Sequence, residues 1–131
     1  MTSTSEWIRA RLLGLKTRPE TAAYVVGVMS DKGLGGLVSN GSVVLAFAEA
    51  GLDFDSHRRL ADGVLASEVA FQGWLAEPEL CVSLARRSYL TCYRLLGNSW
   101  ELYVELADRL PDIILASRDA LNCRTRTPRA R

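Results

Sequence analysis

Residues 78–97, "PELCVSLARRSYLTCYRLLG", decide the fold class. Pro78 suits a first helical turn and Gly97 suits a helix end. Between them Cys81, Leu84, Ala85, Tyr89, Cys92 and Leu96 recur at the three- and four-residue spacing of one buried helix face. With that face turned inward, Arg86, Leu90, Tyr93 and Arg94 share the outer surface, with Arg87 beside them. Arginine and tyrosine dominate the energetics of protein interfaces, because each combines a large contact area with a polar end. This outer surface is therefore the expected partner-binding site.

The flanking segments read the same way. Downstream, Ser99 is placed to cap a helix running to about Arg109, and Pro111 is expected to begin a last helix through about Asn122. Trp100, Val104 and Ala107 form an apolar stripe in the first of these, and Trp100 is assigned to the core before any contact role. Upstream, residues 57–76 read as a helix with Leu60, Val64, Phe71 and Leu75 near one side, capped by Asp55 or Ser56. "SVVLAFAEA" is a helix that stops at Gly51, capped by Asn40 or Ser42.

At the start of the chain, Ser3 and Glu6 have capping-box spacing and open a helix to about Lys16, with Ile8, Leu12 and Leu15 on one side. Thr17, Pro19 and Glu20 then open a second helix to about Met29, although Val25, Val26 and Val28 leave a buried strand as the alternative. No alternating strand segment of useful length appears. The expected architecture is all-α: one domain over residues 1–122 built from about six or seven helices, with a glycine-rich loop at 31–41 and a disordered basic tail at 123–131.

The 131-residue length fits a single core. Charge is unevenly placed: the last nine residues hold four arginines and no acid, and the rest of the chain has 12 basic against 15 acidic side chains. A body of that sign is not a general nucleic-acid binder. The longest uncharged run holds four glycines, so it does not make a membrane-spanning helix, and nothing near the N-terminus resembles a secretory signal. A cytoplasmic location with no membrane partner is expected. Three cysteines with no C-x-x-C pair, beside a single histidine, indicate neither a disulfide framework nor a structural zinc site.

Chemical motifs fail on particular residues. In the loop, Val38 stands where a dinucleotide fingerprint needs its third glycine. Gly36 and Gly41 have Walker spacing but are followed by Ser42 and Val43, so the phosphate-binding lysine is missing. Lys32, just before the loop's first glycine, is a cation able to contact an anion but stands outside the Walker spacing. Ala23, Gly27 and Val28 echo a helix-turn-helix start, but the following loop is far too long for that motif. Asp53, Asp55 and His57 sit at alternate positions on a turn and a helix start, where they do not share a side, so His57 is read as an exposed first-turn residue. No nucleophile–base pair is marked by any motif. No catalytic residue, cofactor or metal is assigned.

The expectation is a non-enzymatic protein-interaction module that regulates or inhibits a larger protein or ribonucleoprotein complex by occupying its surface through Arg86, Arg87, Leu90, Tyr93 and Arg94. Small helical proteins of this kind are common among bacterial accessory products of phages and plasmids, the mobile genetic elements that also encode anti-CRISPR inhibitors. That comparison is one of type and rests on no motif. The alternative is a nucleic-acid-associated regulator using Arg124, Arg126, Arg129 and Arg131, aided by Arg118. A homodimer burying part of the Trp100 stripe is compatible with either.

Overall fold

The computed structural model describes residues 4–30, 40–70 and 75–126. Six helices follow one another: α1 (Thr4–Gly14), α2 (Pro19–Ser30), α3 (Asn40–Ala50), α4 (Phe54–Ala70), α5 (Pro78–Leu95) and α6 (Glu101–Arg126). There is no strand among the described residues, so Val25, Val26 and Val28 belong to a helix. Burial overrides their β preference: all three pack into the core. Residues 31–39, most of the expected glycine-rich loop, lie outside the described residues, and its last two positions, Asn40 and Gly41, already belong to α3.

The predicted inner face of α5 is the centre of the molecule. Cys81, Ala85, Tyr89 and Cys92 are fully buried, and α5 packs most extensively on α4 and then on α6. Leu96, assigned to that face, is instead exposed at the helix end. The end is a Schellman motif: Asn98 N–H donates to Tyr93 O and Gly97 N–H to Arg94 O, each at 3.0 Å, with Gly97 at φ 71°. At about 1.5 Å per residue α6 is about 39 Å long, and it packs along α5, α1, α4 and α2. Ile8 and Leu12 of α1, Val64 and Leu65 of α4, and Leu106, Leu110 and Ile113 of α6 complete the core.

Pro111 does not begin a helix; it lies inside α6. A proline there has no N–H to give Ala107 O four residues earlier. That carbonyl accepts instead from Arg86 Nε of α5, at 2.7 Å. The sequence shows the defect, and the tertiary fold repairs it.

Several capping assignments also change. Asp53 caps α4, its Oδ2 accepting from Ser56 N–H at 2.9 Å and Ser56 Oγ at 2.6 Å, in place of Asp55 or Ser56. Ser99 donates back to Leu96 O at 2.6 Å, closing α5 rather than opening α6. Thr17 is buried and donates to Leu12 O of α1 at 2.9 Å. The start of α2 is capped from a distance, because Glu105 Oε1 of α6 accepts from Arg18 N–H and Thr21 Oγ1. Ser3 lies outside the described residues. α6 continues through Cys123 to Arg126, so those four residues are helical and not tail, and residues 127–131 lie outside the description.

Trp100 is 46% exposed and is not a core residue. Tyr103, one turn on, takes that place. Its ring meets Trp100, Phe54 and Tyr24 edge-on, with centroids 5.4, 5.7 and 5.8 Å away.

Candidate interaction face

The five outer residues of α5 do not form one patch. Arg86 turns toward α6, where its Nε is bound to Ala107 O. Leu90 and Tyr93 are half-buried and pack against the core. Arg87 and Arg94 lie toward α3: the Arg87 guanidinium sits 5.7 Å from the centroid of Phe47, and Arg94 shares a depression of about 390 Å³ with Phe47, Ala48, Leu52, Thr91 and Leu95. The structure thus brings Arg87 and Arg94 together with residues the sequence reading passed over.

Those residues belong to α3 and the turn after it. Val43 and Ala50 are buried against α4 and α5, and Phe47 is half-buried. Val44 is 45% exposed, Leu45 57% and Leu52 81%, with Ala46 and Ala48 exposed between them. Glu49 is the one ionisable side chain among the described residues of α3. A helix apolar nearly all round is ordinarily covered on every side. Among the described residues α3 packs on one side only, against α4 and α5. The signal was in the sequence, since "SVVLAFAEA" has a single charge, but which side stays open depends on where α4 and α5 lie.

The catalytic and metal readings of Asp53, Asp55 and His57 gain nothing. His57 is 3% exposed, a correction to its expected place at the surface. Its Nε2 is 2.9 Å from Gly51 O and its Nδ1 2.9 Å from Ser88 Oγ. A carbonyl only accepts, so Nε2 carries a proton, and in that tautomer Nδ1 accepts from the buried Ser88 hydroxyl. The ring ties the α3–α4 turn to α5. Asp53 is occupied at the helix cap, which holds its carboxyl below the usual range through the two Ser56 hydrogen bonds. Among the described residues no group of three or more His, Cys, Asp or Glu is arranged to hold a metal ion.

A second polar centre lies deeper. Asp62 Oδ1 accepts from Tyr24 OH at 2.8 Å and Tyr89 OH at 2.7 Å, and Arg58 approaches its other oxygen at 3.7 Å. Burial, and then the nearby Asp62 charge, push both phenols well above the ordinary tyrosine value. Burial also pushes the Cys92 thiol up to about 12. These groups join α2, α4 and α5.

Of the basic residues assigned to nucleic acid, Arg124 and Arg126 lie in the last turn of α6, and Arg129 and Arg131 lie outside the described residues. Arg118 is held inside the fold, its Nη2 on Glu68 Oε1 at 2.6 Å and its Nε on Glu68 O at 2.7 Å. No described helix is long and apolar enough to cross a membrane. No protein-family model matches the chain, and neither a curated protein nor a solved structure does.

Proposed function

We propose that this protein is a non-enzymatic interaction module that binds a larger protein through the open side of α3 and the adjoining edge of α5. The observation that carries the reading is the exposed run Val44, Leu45, Ala48 and Leu52, bordered by Arg87 and Arg94. Contiguous apolar surface on a small protein marks an interaction site. The two arginines give the partner its chemistry: an apolar groove or ridge with carboxylates along one side, reached by cations that already lie on α3. The bordering α5 edge presents no acid and α3 only Glu49, so a partner surface richer in carboxylates than this face itself complements the two arginines better than a second copy does. Regulation or inhibition by covering a partner's surface is the form of action that fits a domain of this size. The non-enzymatic reading is supported by the lack of a catalytic motif and by the burial of the single histidine with both ring nitrogens occupied.

The test is capture from host lysate, with and without nuclease treatment, using wild-type protein, Leu45→Asp, Arg87→Glu combined with Arg94→Glu, and a chain lacking residues 123–131. The expected result is a stoichiometric protein partner that both substituted variants lose while keeping wild-type circular dichroism and melting temperature. Retention of the partner by both folded variants refutes this face. Loss only on nuclease treatment, or only on deleting residues 123–131, transfers the function to nucleic-acid association.

A further inference from the structure

On the other side of α5, a groove of about 650 Å³ runs between α5 and α6. Small-molecule sites are commonly of this volume, apolar with a few fixed polar groups. Pro78, Val82, Pro111, Ile114 and Leu115 supply apolar wall, and the ionisable residues lining it among the described residues are Glu68, Glu79, Arg86 and Arg118.

Each arginine is pinned by Nε to a main-chain carbonyl of a neighbouring helix. Arg86 takes the oxygen released by Pro111, and Arg118 of α6 takes Glu68 O of α4. Their guanidinium planes are therefore fixed before any ligand arrives. Arg118 neutralises Glu68 through Oε1. Glu68 Oε2 remains: it is buried, belongs to a residue 4% exposed, and has no hydrogen-bond partner among the described residues. A buried carboxylate oxygen left without a donor is expensive, and native proteins seldom leave one unexplained. The terminal nitrogens of Arg86 lie beyond its bond to Ala107 and remain available to an anion.

We propose that this groove binds a small zwitterion with an apolar body, of the amino-acid or short-peptide class. Its carboxylate meets the fork of Arg86, its ammonium group lies on the Glu68 and Glu79 side, where a small turn of the Glu68 carboxylate brings the buried Oε2 to it, and its side chain lies along Val82, Ile114 and Leu115. An anion without a donor leaves the Glu68 oxygen unpaired, and an amine without a carboxylate leaves Arg86 unused. The site is separate from the α3 face.

The test is titration of the isotopically labelled protein with L-phenylalanine and with the dipeptide Leu-Phe, followed by amide chemical shifts. Phenethylamine and 3-phenylpropionate, each carrying one of the two charges, are the controls. Saturable shifts confined to α5 and α6 around Val82 and Ile114 are expected for a zwitterion, with both controls weaker by about tenfold or more. Which of the two zwitterions binds more tightly assigns the ligand to the free amino acid or to the peptide. Arg86→Gln keeps a donor for Ala107 O and removes the cation, and should abolish discrimination against phenethylamine. Leu115→Trp, placed on a rim residue that is 60% exposed, should block binding without disturbing the fold. Equal affinity for zwitterions and controls, or no saturable shift with any of the four, overturns the proposal.

Discussion

His57 shows how one side chain can look reactive in sequence and be structural in space. Replacing it with alanine removes two hydrogen bonds and leaves Ser88 Oγ buried and unpaired. His57→Ala should therefore lower unfolding stability by about 2–4 kcal/mol in urea titrations. Adding Ser88→Ala should destabilise further by less than Ser88→Ala does alone, because the orphaned hydroxyl is gone. Additive losses would show that the pair is not coupled. The cysteines give a second expectation. Cys81 and Cys92 are buried in α5, and burial raises both thiols, Cys92 to about 12. The thiolate is the reactive form. Peptide mapping after alkylation of the native protein at mildly alkaline pH should find both unmodified, and denaturant should expose both. The burial of these cysteines was legible from helical spacing, whereas that of His57 was not, since it follows from a serine 31 residues away.

Among the elements, α6 makes the sharpest claim. A proline ten residues into a helix ordinarily ends it, yet α6 continues because Arg86 satisfies the freed carbonyl. Arg86→Ala should therefore destabilise the wild type by about 1–3 kcal/mol, the range for a charged hydrogen bond to a buried acceptor. In a Pro111→Ala background the helix regains its own N–H donor, so the same Arg86→Ala change should have an effect near zero. A double-mutant cycle by thermal or urea unfolding reads the difference, and equal effects in both backgrounds would refute the latch. This also explains why the predicted Arg/Tyr face divides. Helical spacing placed Arg86, Arg87, Leu90, Tyr93 and Arg94 on one arc, but α6 claims Arg86 and α3 borders Arg87 and Arg94.

Across the whole molecule, stability has an alkaline limit set by the Asp62 centre. Tyr24 and Tyr89 both donate to its carboxylate, and Tyr103 packs against both rings. Burial raises all three phenols above the unfolded value of about 10. A group whose folded pKa is raised contributes fully below its unfolded pKa, and that contribution is lost as pH climbs past it. Ultraviolet tyrosinate titration should show these three ionising only together with loss of helical circular dichroism above about pH 10. Ionisation of all four tyrosines in a still-helical protein would contradict this. The centre was hidden from sequence inspection because its three helices are brought together only by the fold. By contrast, the all-helical class, the buried face of α5 and the stops at Gly51 and Gly97 were readable directly, because spacing, β-carbon sterics and missing donors act within a few residues of chain. The tertiary structure alone decided which apolar helix side remains uncovered, which arginines are used inside the fold, and how a proline survives within a helix. Each of those depends on a neighbour tens of residues away, and local periodicity carries no information about that neighbour.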